Sequence, residues 1–417
     1  MDVLPVEIIE LILMKCDGKT LLNCRHIDDK TAEIVDYLSQ KTQIWKWCCN
    51  EDIPKNEMVD YCRRYTGGYQ DYRKWLHIYQ NWYAWHNPSD ITCKMKGTPV
   101  EISRISCLAV LGNLVAVGSE DGRLKVYRDH WQLLHSSRHF SVRIIGVEFL
   151  CRDDKNLDEV NILIAFSKGF KVMALTGPDE RTIYGSKSYS VFQDHICYET
   201  EGGRTTISKI QSLDEEIDEK VLWFSRIYSP TRIVCQKMWN GVCTFLINDR
   251  IKYVRYENPE ITPMEALTER TSVDFNFTLR DNSYKTQIRK ILRDEAIVST
   301  YKNDSHHKSE YIEFCLLNET NGYSTKLFNS SEIFNSSISC IHLYGNTLIL
   351  GVDIGNIYIY HVGSWKNLNL RDYDRKIIVG RHPIMAIDVK ETESERIFYI
   401  ASKFCVHELS GFSVKYK

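Results

Sequence analysis

The sequence has no run of apolar residues approaching the roughly 20 needed to cross a bilayer, so no membrane-spanning helix is expected. It also has no excess of charge: 53 Lys and Arg stand against 55 Asp and Glu, a formal net charge of -2. A balance this close to zero supplies no global basic field for nucleic acid or an anionic membrane. The start, Met1-Asp2-Val3-Leu4-Pro5, lacks the cationic stretch and small-residue cleavage site of a secretory leader. No phosphate loop, no Gly-x-Ser-x-Gly elbow and no His-Glu-x-x-His appears. Although there are 14 cysteines, none forms a Cys-x-x-Cys, and no Cys or His pair repeats at zinc-finger spacing. None has a neighbouring His and acid in a local pattern that marks a nucleophile. The expectation is reduced thiols in the cytosol or nucleus, packed as small apolar side chains, with no metal and no cofactor.

What is present fits a soluble multidomain protein. The chain has 417 residues, 43% of them hydrophobic and 26% charged, enough for two or more domains of ordinary composition. Up to Trp85 apolar residues recur three and four apart, the helical spacing. After Asn87-Pro88-Ser89 the pattern changes to short β-type runs punctuated by Gly, Asn and Asp. The expected divisions are a helical module over residues 1–50, a helical aromatic linker over 51–87 and a β-domain over 88–417.

An internal repeat defines the β-domain. Ile105 to Tyr127 aligns with Ile338 to Tyr360 without a gap. The identities are Ile105/Ile338, Ser106/Ser339, Cys107/Cys340, Gly112/Gly345, Asn113/Asn346, Gly118/Gly351, Gly122/Gly355 and Tyr127/Tyr360. Each copy reads as three antiparallel strands joined by tight Gly-containing turns, most of one propeller blade. A weaker echo, an aliphatic-x-x-aliphatic strand start, recurs at Ile105/Leu108, Ile144/Val147, Ile207/Ile210, Ile288/Ile291, Ile338/Ile341 and Ile384/Ile387. The gap between Ile207 and Ile288 is close to two repeats of the ~40–45 residues typical of WD-type propellers. A hidden blade is therefore expected there, around Gly241 to Glu257, and a long loop within Gly177 to Gly203. The total is seven blades, and the resemblance is to WD-repeat propellers. Chance pairs in a β-rich chain, or a β-sandwich, are the alternatives to the weaker echo.

The N-terminal segment resembles the F-box motif over about its first 48 residues. The matching residues are Leu4-Pro5-Val6-Glu7-Ile8, Asp17, Leu21-Leu22, Ile27 and the downstream Trp45. Thr31 stands where the family has a bulkier residue, and the stretch from Ile27 to Trp45 is longer than usual. The resemblance implies binding to a Skp-family adaptor and, through it, to a cullin. The apolar set Leu4, Pro5, Ile8, Ile12, Leu21, Leu22 and Ile27, together with Trp45, would carry that contact. So many apolar groups are more than a three-helix unit of this size can hide alone. Packing against the chain's own propeller is the competing explanation.

In the linker, Trp75, Ile78, Tyr79 and Trp82 share one helix face, which is expected to dock under the propeller. By the WD resemblance, Arg104, Arg143, Thr206, Gln287, Ser337 and Pro383 precede inner strands and ring one mouth of the disc. Arg104 and Arg143 on neighbouring blades would grip a phosphate or carboxylate of a target protein; two ordinary surface arginines are the plainer alternative. His306-His307 and the acidic run Leu213 to Lys220 read as solvated loops. No convergent ionisable cluster is visible for the channel, so a propeller enzyme is not expected. The resulting expectation is a non-catalytic substrate receptor of a Skp–cullin–F-box ubiquitin ligase, cytoplasmic or nuclear. Its rival is a non-degradative scaffold with a divergent F-box.

Overall fold

Helical spacing ahead of residue 85 and hairpin spacing after residue 90 become two kinds of structure that share a core. In this computed structural model the described residues are 4–66, 73–86, 91–100, 104–137, 139–151, 160–175, 180–184, 188–200, 205–209, 220–224, 233–239, 241–247, 250–256, 267–268, 284–293, 296–303, 309–317 and 323–413. Asn87-Pro88, the Gly67-Gly68 and Gly202-Gly203 pairs, His306-His307 and residues 213–219 lie outside them.

Six helices come first: α1 (Val6–Leu13), α2 (Gly18–Arg25), α3 (Asp29–Lys41), α4 (Ile44–Asp52), α5 (Lys55–Arg64) and α6 (Arg73–Ala84). A helix cap separates α1 from α2. The Asp17 carboxylate accepts the Thr20 N–H at 2.7 Å, so α2 starts at Gly18, ahead of Leu21. Asp28 caps α3 in the same way through Thr31 N–H at 2.7 Å. Helix α3 runs 13 residues, which accounts for the long stretch before Trp45.

Seven four-stranded antiparallel sheets follow among the described residues. Blades 1 to 6 cover residues 105–136, 144–184, 189–224, 233–268, 284–329 and 338–378. Blade 7 takes three strands from residues 384–413 and its outer strand, Ile91–Pro99, from the far end of the domain. That strand pairs antiparallel with Cys405–Ser413 and closes the ring.

The strand-start echo has a physical cause. Residues three apart in a regular strand face opposite ways. Six of the seven inner strands carry a bulge near their start, between Ile105/Cys107, Ile144/Gly146, Ile233/Cys235, Thr286/Ile288, Ile338/Cys340 and Ile384/Ala386. The extra residue returns the pair to one face. Ile105 and Leu108 accordingly share one core cluster, as do Ile144 and Val147, and Ile338 and Ile341.

Three expectations about the blades need correction. Ile207 lies in Thr205–Lys209, the third strand of blade 3, whose inner strand is Tyr189–Phe192. The stretch expected to be a loop therefore begins a blade. Blade 4 starts at Ile233 and was hidden because Gln236 replaces the second aliphatic. In blade 5 the bulge opens at Thr286, so the Ile288/Ile291 pair is in the right strand but not at the equivalent positions.

The repeat's identities also find their reasons. Ser106 Oγ donates to Ile144 O at 2.6 Å, and Ser339 Oγ to Ile384 O at 2.9 Å, each tying one blade to the next. Gly112 and Gly345 turn with φ of 53° in both copies, a conformation glycine adopts without strain.

Candidate functional site

The helical segment is fixed to the disc by a buried ionic and aromatic network. Arg396 of blade 7 pairs with Glu391 at 2.7 Å, both side chains 1% exposed. The Arg396 guanidinium lies 5.2 Å from the Tyr61 ring centre, 5.5 Å from Trp85 and 4.8 Å from Tyr344. Asn81 of α6 donates to the other Glu391 oxygen at 3.0 Å. A single hydrophobic cluster runs from α1 through α6 into blades 6 and 7.

Helix α5 lies across one end of the propeller channel, the end at which the inner strands finish. Arg63 donates to Phe149 O in blade 2, and Arg64 pairs with Asp388 and donates to Val389 O in blade 7. Glu57 meets Arg293 beside blade 5 at 3.6 Å, and the Tyr61 ring meets Tyr344 in blade 6. The aromatic stripe of α6 points elsewhere than expected. Tyr79 packs on Trp45 at 5.6 Å between ring centres and donates to Asp52 at 2.6 Å, so the stripe faces α2 and α4. The propeller is met by Asn81 and by Trp85, which packs against Phe398 at 4.8 Å.

The residues expected to contact an adaptor divide into two sets. Leu4, Ile8, Ile12 and Ile27 are 49, 42, 51 and 57% exposed, and Pro5 is exposed as well. Leu11, not singled out from the sequence, joins Ile8 and Ile12 on the outward face of α1. Ile9 and Leu13 fill the inward face. Leu21 and Leu22 are fully buried and Trp45 is 2% exposed, so they are core residues and not available surface. The Trp45 indole donates to Ser39 Oγ at 2.7 Å, which satisfies its one polar atom inside the core.

On the other rim, where inner strands begin, Arg104 and Arg143 flank one carboxylate. Arg104 lies 3.7 Å and Arg143 3.4 Å from opposite oxygens of Glu120, and both guanidinium groups are largely exposed. The sequence reading placed the two arginines on neighbouring blades but missed Glu120 between them. Ser337 and Pro383 also precede inner strands; Gln287 lies within the bulge of blade 5, and Thr206 sits in the third strand of blade 3, away from that position.

The cysteines behave as core material. Burial pushes the thiols of Cys48, Cys107, Cys235 and Cys315 up to about 12. Cys107, Cys235 and Cys340 occupy the same bulge position in three blades. Among the described residues no group of His, Cys, Asp and Glu is arranged to hold a metal ion. The expectation that the channel lacks converging ionisable groups is corrected: Glu148, Lys237, Lys290, His342 and Asp388 reach it from five inner strands, with Arg63 and Arg64 at its closed end. These residues are scattered in sequence, and only the bulge register aligns them.

No protein-family model matches the chain, and no curated protein does. Among solved structures, the computationally designed Ika8 protein aligns over 76% of this chain and 98% of its own at 13% identity, with a TM-score of 0.45. The N-terminal domain of Nup159 aligns over 78% of this chain and 96% of its own at 11% identity, with a TM-score of 0.50. The latter likeness supports the propeller fold, and at that identity it speaks of the fold alone.

Proposed function

We propose that this chain is the substrate-recognition subunit of a Skp–cullin–F-box ubiquitin ligase, itself non-catalytic and acting in the cytoplasm or nucleus. The observation that carries the reading is the outward face of α1. Leu4, Ile8, Leu11 and Ile12, with Ile27 beyond α2, stay open while the inward faces of the helices fill a core shared with blades 6 and 7; Tyr37 and Trp47 are exposed as well. These residues fall within the segment that resembles the F-box. Burying an aliphatic side chain of this kind contributes about 1.5–3 kcal/mol gross, offset by the cost of association. The occupant proposed for this face is the Skp-family adaptor.

The target protein would bind the opposite rim, where a phosphate or carboxylate could replace Glu120 between Arg104 and Arg143. The disc then works as a spacer that holds the target away from the adaptor but fixed relative to it.

Co-purification of the tagged full chain tests the first half. Adaptor and cullin should appear together, and Ile8→Asp with Ile12→Asp should remove both without changing the folded state. Adaptor without cullin would favour the non-degradative scaffold, and neither protein would end the proposal. For the second half, Arg104→Ala with Arg143→Ala should remove target proteins from the eluate and leave the adaptor.

A further inference from the structure

The inner strands present their channel groups at one shared register position. Counting four residues from the one that opens each bulge gives Ala109, Glu148, Lys237, Lys290, His342 and Asp388, in blades 1, 2, 4, 5, 6 and 7. Ser190 takes this place in blade 3. It accepts the N–H of Met238 at 2.9 Å, just as Asp388 accepts the N–H of Val110 at 2.6 Å. Part of the ring's purpose is structural. The channel edge of an inner strand has no further strand to pair with, and its backbone groups need partners. Lys290 likewise donates to Ile341 O at 2.9 Å.

Backbone satisfaction does not account for the distribution of charge. The carboxylates lie in blades 7 and 2, on either side of Ala109. Lys237, Lys290 and His342 occupy three consecutive blades on the far side. Helix α5 then brings its two arginines to the acidic arc and not to the basic one. Arg64 pairs with Asp388, and Arg63 reaches Phe149 O, next to Glu148. Asp60 of α5 acts on the same two arginines, so Arg63, Arg64, Lys237 and Lys290 stand against three carboxylates and the channel keeps an excess of positive charge.

Several donors remain unused. The Nε atoms of Arg63 and Arg64 and the Nε2 of His342 are buried without a partner. Lys290 has spent one of its three N–H groups. Lys237 and Lys290 are open to solvent. Burial, and then the charges of Arg64, Lys290 and Lys237, hold His342 well below the usual imidazole range. Their shared register position on three consecutive inner strands places these groups along one stretch of the channel wall.

We propose that the basic arc of Lys237, Lys290 and His342, in a channel closed at one end by α5, binds a small multivalent oxyanion of the phosphate or polycarboxylate class. The site is independent of the adaptor and target surfaces. Charge-assisted donors in a channel walled by protein are stronger than the same groups on an open surface.

Calorimetric titration of the full chain with pyrophosphate, and separately with citrate, at physiological ionic strength tests the proposal. Saturable binding of one anion per chain is expected for at least one probe, and which probe binds distinguishes phosphate from carboxylate. Lys237→Met with Lys290→Met should weaken it by about tenfold or more. Glu148→Gln, which removes a competing charge, should tighten it. Lys96→Ala with Lys376→Ala removes the same charge from outer strands and should leave affinity unchanged. The His342 ring resonances should shift on binding. The assignment is overturned by no saturable binding of either probe, by equal weakening in the outer-strand variant, or by binding without a His342 response. Should the double lysine variant fail to fold, Glu148→Gln decides, and unchanged affinity there overturns the proposal.

Discussion

At Arg396 a full positive charge sits among three aromatic rings and one carboxylate, with no water contact of consequence. Burying such a pair contributes little net stability when complete, but removing one partner strands the other. Arg396→Met is therefore expected to destabilise the fold by about 3–5 kcal/mol, the scale for breaking a buried pair, measured by urea denaturation. Glu391→Gln should cost less, because the amide still accepts from Arg396. His342 makes the opposite kind of demand. Its folded pKa lies below that of the unfolded chain, so the unfolded chain binds more protons as pH falls through the ordinary value of about 6.5. Stability present above that value is then lost on acidification. Denaturation curves at about pH 7.5 and about pH 5.5 should show the loss, and His342→Gln should reduce it. Some of this scale could be read in advance. The serines and glycines of the 23-residue repeat were visible as identities, and Ser106 and Ser339 prove to be inter-blade donors. Arg396 could not be read that way, because the three rings around it come from α5, the end of α6 and blade 6.

Helix α1 shows how far periodicity reaches at the scale of an element. Two apolar faces are written into Leu4 to Leu13. Nothing in their spacing says that Ile9 and Leu13 would turn inward and Ile8 and Ile12 outward. That choice is made by α3, against which α1 packs. The two sets should respond differently to truncation. Leu21→Ala, in the sealed set, should cost about 2–5 kcal/mol. Ile12→Ala, on the open face, should fall within about 0.5 kcal/mol of the unaltered chain, by the same urea measurement. The inner strands teach a related lesson. The three-residue spacing was a true signal of a bulged strand, and it failed at Ile207, which lies in the third strand of blade 3 and not in the inner strand Tyr189–Phe192. Seven blades were nevertheless the right total, because the misplaced start and the hidden one fell on adjacent blades.

For the whole molecule the decisive feature is the shared blade. Its outer strand, Ile91–Pro99, pairs at nine positions with Cys405–Ser413, and neither segment advertises the other in sequence. Deleting residues 91–99 should open the ring at blade 7. Limited proteolysis read by mass should then show early cleavage within residues 396–413, which the intact chain resists. The helical segment would be affected as well, since its core continues into blades 6 and 7.

This closure sets an order of events during synthesis. The strand Ile91–Pro99 leaves the ribosome long before Cys405–Ser413 exists, and the greasy undersides of the six helices emerge earlier still. Until the final blade is translated, both must wait without their partners, a delay that grows with sequence separation and favours aggregation. A nascent chain stalled after blade 6 should therefore be held by chaperones, whereas one that has released residue 413 should escape them.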